Sequence, residues 1–347
     1  MVCRHLALAH ATGVIGGENK YTAITSGSYG DILNDDELDK KYDRKCPTEA
    51  HYFEFKKLPV ALKAIANEVW SNTDDTRKSY TFTSSMHLMT LHIEKANGAL
   101  KICFYDPNDT LRHKKFIMEH PDEIDALSID HILTRSAQKK YFGKKAATAC
   151  LVSTETQKDR DSCQVNVYGS LNDFYLPLKY GHYGHKNIPD GFNATSIVGI
   201  PGLYVALERG QAAAVKAYLS NIFKSNCERP SVTELLMQTH DDDRSTVGLD
   251  LAIFHGHIDA ITAYVNGIME SGLDQADISR LLRLGANNAK HNDSLLFYKS
   301  RYKSAAAFKA YSAAISASKL DRHIKKQLLH GFDDISDQAS RHSREIG

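Results

Sequence analysis

The chain has 347 residues, 42% hydrophobic and 24% charged, with a formal net charge of +1. That length and apolar content predict a protein of two domains, each with its own core. The near-zero charge gives no ground for a nucleic-acid or membrane partner, and the Arg112, Lys114 and Lys115 cluster reads as a solvated face. No apolar run approaches the roughly 18 residues that span a bilayer, and no signal-peptide pattern opens the chain. The six cysteines (3, 46, 103, 150, 163 and 227) contain no CxxC pair, so they read as reduced thiols rather than a disulfide framework or zinc site. Among seventeen histidines only His182 and His185 have ligand-like spacing, and no cysteine or carboxylate stands beside them. A metal or other cofactor is not expected.

Taken in order, the chain opens with MVCRHLALAHATGV, a short apolar-periodic segment in which Leu6, Ala7 and Ala11 suit a core face and Gly13 a stop. Cys3 then falls at a helix N-terminus, where free N–H groups and the helix dipole favour a thiolate. A terminal cysteine in a frayed segment is the plainer reading of the same residues. Residues 14–50 are rich in Gly, Asp and Lys and read as loop, with Cys46 a loop thiol. Pro59 to Trp70 reads as an amphipathic helix with Leu62, Ile65, Ala66 and Val69 on one face.

Tyr80 to Asp109 carries the strongest local signal. Asn97-Gly98 between two apolar-alternating runs predicts a hairpin, because both turn residues must tolerate positive φ. Counting outward from Ala96 and Ala99 sets Met89 opposite Asp106, so His87 and Asp106 share a strand face as diagonal neighbours. Such a pair is the orienting half of a nucleophilic triad. Taken singly, Asp106-Pro107 is ordinary turn chemistry. The shared face tips the balance toward a site.

Ile124 to Val167 reads as short helix and further strand, and residues 168–199 as a linker. The last third repeats. Gly202, Leu203, Ala206, Gly210, Ala217 and Tyr218 recur 46 residues later at Gly248, Leu249, Ala252, Gly256, Ala263 and Tyr264. A degraded third copy ends at Ala310-Tyr311, and the leucine pairs 235–236, 281–282 and 328–329 also recur. The motif is similar to the ankyrin helix-turn-helix, though the period exceeds 33 and no T-P-L-H stands here. Such stacks serve as binding modules.

Three short motifs carry a further resemblance: Val2-Cys3-Arg4-His5-Leu6-Ala7, Ser85-Met86-His87-Leu88-Met89 and Tyr105-Asp106-Pro107-Asn108-Asp109-Thr110. Together with Ile200-Pro201-Gly202-Leu203 and the repeats, they resemble the enterotoxin-2/EspL-type family of type III secreted effectors of Gram-negative enteric pathogens. The resemblance implies an α+β fold: a papain-like cysteine protease domain over 1–195, an all-α ankyrin-like repeat domain over 196–335, and a tail over 336–347. It implies Cys3 as nucleophile, His87 as general base and Asp106 as orienting acid, with no cofactor. It further implies secretion into the host cytoplasm. The substrate would be a host signalling protein, of the inflammatory and necroptotic adaptors carrying RHIM motifs, held by the repeats. Family members carry a few dozen residues ahead of VCRHLA, whereas two precede Cys3 here. The expectation is therefore an earlier start or an N-terminally short domain. The competing reading is a catalytically inactive, ankyrin-like binding effector. A metal hydrolase built on His182 and His185 is a remote third.

Overall fold

The computed structural model describes residues 7, 10–11, 46–108, 114–143, 147–157, 162–191, 194, 200–225, 232–233, 235–236, 239–240, 243–284 and 302–329, with backbone alone at 239–240, 243–247 and 302–305. The chain divides into two compact units, Met1–Asn172 and Asp173–Gly347.

The first unit is built on strands β1 (Cys46–Pro47), β2 (Glu49–Glu54), β3 (Thr76–Thr83), β4 (Leu88–Ala96), β5 (Ala99–Tyr105), β6 (Lys114–Met118), β7 (Thr148–Ser153), β8 (Thr156–Gln157) and β9 (Gln164–Tyr168). Seven form one sheet in the order β6-β5-β4-β3-β7-β2-β9, and β1 pairs with β8. Every pairing in the seven-stranded sheet is antiparallel except β2 with β9. The β4–β5 turn is fixed by its chemistry. Asn97 and Gly98 take φ of 51° and 74°, the double positive that an Asn-Gly turn needs. Ala96 faces Ala99 and Thr90 faces Tyr105, the register counted from the sequence.

Because strand side chains alternate, a single register sends Phe53, Phe82, Leu91, Ile93, Ile102, Phe104 and Leu151 to one face. Helix α1 (Leu58–Ser71) lies on that face, burying Leu58, Ala61, Leu62, Ile65, Ala66 and Val69 at helical spacing. Each large apolar side chain so buried is worth roughly 1.5–3 kcal/mol. Pro59 suits the first turn. At the far end the Lys95 ammonium donates to the carbonyls of Trp70 and Asn72, meeting acceptors that a helix C-terminus leaves open. Two shorter helices, α2 (Ile129–Ile132) and α3 (Arg135–Phe142), follow on the chain. The Phe142 ring of α3 stacks on Phe55 at 3.7 Å.

The opposite face carries Thr90, His92 and Tyr105. Against it lie Ala7, His10 and Ala11, helical and buried. The Thr90 hydroxyl donates to the Ala7 carbonyl at 2.7 Å, and His92 Nε2 meets His10 Nδ1 at 3.1 Å. His10 also stacks on Tyr105, with centroids 4.3 Å apart. The step from Ala7 to His10 therefore runs the same way along the sheet as the step from Thr90 to His92.

The second unit is helical, and it begins earlier than the sequence reading has it. Within 168–199, read as linker, helix α4 (Tyr175–Tyr180) packs on α5 (Gly202–Glu208). The repeat appears as helix pairs: α5 with α6 (Ala212–Lys224), then α7 (Gly248–His255) with α8 (Ile258–Met269). Helices α9 (Gln275–Leu282), α10 (Tyr302–Ala317) and α11 (Arg322–Leu329) follow. Before α7 stands a small hairpin, β10 (Thr239–His240) with β11 (Asp243–Val247), which the periodicity gives no sign of. Helix α5 packs on α7 and α6 on α8, while α10 lies against both α7 and α8.

Both first helices end identically. Gly210 and Gly256 take φ of 69° and 76°. Gln211 N–H reaches Ala206 O and Gly210 N–H reaches Leu207 O, at 2.8 and 3.1 Å; His257 and Gly256 repeat these bonds to Ala252 and Ile253. This is the Schellman closure, which requires a left-handed residue. Buried tyrosines mark the second helices. Tyr264 donates to Leu281 O at 3.2 Å and Tyr311 to Leu282 O at 2.9 Å, tying the second and third copies to one leucine pair.

Candidate functional site

The site begins at the turn joining β3 to β4. Ser84 N–H donates to His87 O at 2.9 Å, and the Ser84 hydroxyl accepts from His87 N–H at 3.0 Å and Met86 N–H at 3.2 Å. One serine side chain thus closes the turn and sets the backbone of His87 one residue ahead of β4. Asp106 follows the last residue of β5, where Pro107 cannot extend the ladder. The pairing register carries both side chains to the α1 face of the sheet.

His87 Nε2 donates to Asp106 Oδ1 at 2.8 Å, and their side chains are 4% and 14% exposed. Asp106 is further bound by Asn108 N–H at 2.9 Å and by the Tyr141 hydroxyl, at Oδ2, also at 2.9 Å. Burial by itself would raise the Asp106 pKa, but the bond from His87, then those from Asn108 and Tyr141, outweigh it and hold the carboxyl below its ordinary value. Asp106 is therefore an anion in the neutral range and an acceptor only, which makes Nε2 the protonated nitrogen of a neutral His87. No described residue bonds to Nδ1, which is left as the basic nitrogen.

A second histidine–carboxylate pair lies on the same sheet face. His51 Nε2 contacts Glu49 Oε2 at 3.1 Å, while His51 Nδ1 meets the Tyr168 hydroxyl at 3.1 Å. Glu49 also accepts from Tyr80 at 2.6 Å and from Lys78 at 2.9 Å. Both nitrogens of His51 are engaged, so this cluster is a satisfied polar core and has no base to offer. Of the two pairs, it is His87 that has a nitrogen to which no described residue bonds.

Of the residues expected from sequence, His87 and Asp106 are brought together. Cys3 lies outside the described residues. Cys46 is in strand β1 rather than a loop. His182 and His185 are not assembled into a ligand set: His185 Nδ1 accepts from Asn187 N–H at 3.2 Å, and no group of three possible metal ligands occurs among the described residues. Also among the described residues, no helix is long and apolar enough to cross a membrane. Two members of the site escape sequence reasoning. Asn108 is present in the YDPND motif and visible there as a turn residue. Tyr141 sits 35 positions from Asp106 on a short polar helix, and nothing in the local pattern marks it.

Comparison with protein-family models, with curated proteins and with solved structures gives no match.

Proposed function

We propose that the chain is a cysteine protease in which Cys3 is the nucleophile, His87 the general base and Asp106 the orienting acid. The observation that carries the reading is His87 itself: buried, anchored to an ionised Asp106 through Nε2, and with Nδ1 bonded by no described residue.

In this reading Nδ1 of His87 takes the thiol proton, and the thiolate adds to the scissile carbonyl carbon. The imidazolium then protonates the leaving amine as the C–N bond breaks, leaving a thioester. Water, deprotonated by the same nitrogen, releases the acid and restores the thiol. Asp106 stays ionised throughout and stabilises the imidazolium. The resemblance to the enterotoxin-2/EspL-type effectors supplies the rest of the proposal: delivery by a type III system, a host signalling protein as substrate, and a papain-like first domain. The helix pairs of the second unit would be the ankyrin-like module that holds a partner.

The test is co-expression with RHIM-carrying host adaptors. Cys3→Ala and His87→Ala abolish cleavage; unchanged cleavage by either variant sinks the reading and leaves the repeat-built binding protein in its place.

A further inference from the structure

We infer that Tyr141 is a positioning residue for His87, fixing both the ring plane and which imidazole nitrogen is the base; the inference rests on His87 acting as a base. Helix α3 is held at both ends. The Thr134 hydroxyl caps its start by accepting from Ala137 N–H at 3.2 Å, and Gly143, at φ 72°, closes its end through a bond to Lys139 O at 3.0 Å. Phe142 packs on Phe55 at 3.7 Å and on Phe82 at 5.9 Å, so the last turn is bolted to the sheet core. The neighbouring Tyr141, 4% exposed, has its location set by that packing.

The Tyr141 ring then does two things. It stacks on the His87 imidazole, with centroids 4.0 Å apart and planes 23° from parallel, which opposes rotation of the histidine ring. Its hydroxyl accepts from Asn108 Nδ2 at 3.0 Å, which directs the phenolic proton to Asp106 Oδ2 at 2.9 Å. With Oδ2 taken by Tyr141, and Oδ1 shared by His87 and Asn108 N–H, the carboxylate cannot turn. A fixed carboxylate and a fixed ring plane together hold the proton on Nε2 and the lone pair on Nδ1. In this role Tyr141 acts through His87 and Asp106.

The test uses the full chain labelled with ¹⁵N-histidine, comparing wild type, Tyr141→Phe and Tyr141→Leu by NMR titration and by peptide cleavage. Tyr141→Phe keeps the stack but removes one donor from Asp106. His87 then keeps its Nε2–H tautomer while its pKa rises by about half a pH unit, because the carboxylate charge is less dispersed. Tyr141→Leu loses the stack as well, so the two tautomers mix and kcat falls by about tenfold or more with KM unchanged. An unshifted His87 pKa in the phenylalanine variant, or a single Nε2–H tautomer retained in a folded leucine variant, overturns the inference; a lowered melting temperature alone marks Tyr141 as mere packing. Should the leucine variant fail to fold, the phenylalanine variant decides alone. The NMR readout does not involve Cys3, so failure of the protease reading shows separately, as cleavage that survives Cys3→Ala.

Discussion

His51 and His87 face the same side of one sheet, each gripped at Nε2 by a carboxylate, yet their surroundings differ in what they leave open. Glu49, like Asp106, accepts from three donors. Burial would raise its pKa, but bonds from His51, Tyr80 and Lys78 prevail and lower it to about 2. The Tyr80 phenol, buried beside that anion, is pushed far above its ordinary range, and Tyr168 is pushed up to about 12 by burial first and Glu49 second. A carboxyl whose folded pKa lies below its unfolded one stabilises the fold above the unfolded value, and loses that contribution as pH falls through the folded value. For Glu49 the loss runs from about pH 4.5 down to about 2. Glu49→Gln is expected to cost about 2 kcal/mol at pH 7, since it exchanges a charged acceptor for a neutral one among three donors. The same variant should flatten the acid limb of stability between pH 4.5 and 2; urea melts at pH 7, 4 and 3 check both.

At the scale of the element, the two kinds of positive-φ glycine separate conformational cost from steric cost. Gly98 has φ of 74° and open space where a Cβ would stand, whereas a Cβ at Gly210, φ 69°, would lie 2.6 Å from Nδ1 of His257. Gly98→Ala should cost about 1 kcal/mol, the left-handed penalty alone. Gly210→Ala should cost about 2 kcal/mol or more, because the second copy's histidine must also move. Chemical denaturation of the two variants in parallel tests the order.

These elements also show why parts of the chain can be read in advance. The β4–β5 register follows from two turn residues and a period of two, so the meeting of His87 and Asp106 is encoded within twenty residues. The helix-ending glycines are legible because the same closure recurs 46 residues on. Strand β2 is not legible, since its apolar pattern makes sense only beside β7 and β9. Tyr141 and the His10–His92 contact are hidden for the same reason: each depends on a partner from a distant segment, and neither side carries a local mark.

Across the whole molecule each unit has a core of its own, one between α1 and the sheet and one among the repeat helices. Leu62 and Ile261 are fully buried in the first and second. Leu62→Ala and Ile261→Ala should each cost 2–5 kcal/mol, in the range for an emptied core position. The expectation is that each lowers the unfolding transition of its own unit and leaves the other in place, which calorimetry with unit-specific probes will resolve. A single transition moved equally by both substitutions would show one cooperative block.

The position of β2 has a consequence for how the first unit comes into being. Strands β3 to β6 are joined in sequence and can pair as soon as each is made. Strand β2 is synthesised before all of them, yet its partners are residues 148–152 and 164–168, so Ala50 waits 115 residues for Val165. Until then β2 has no sheet to join, and the cost of closing so long a loop must be met before its pairing gives anything back. The histidine and its acid can thus be assembled on the early meander, while the sheet that stabilises them is finished last. The expectation is that completing this sheet is a slow, late step in folding, and that a chain released short of residue 168 carries the dyad on an unfinished scaffold.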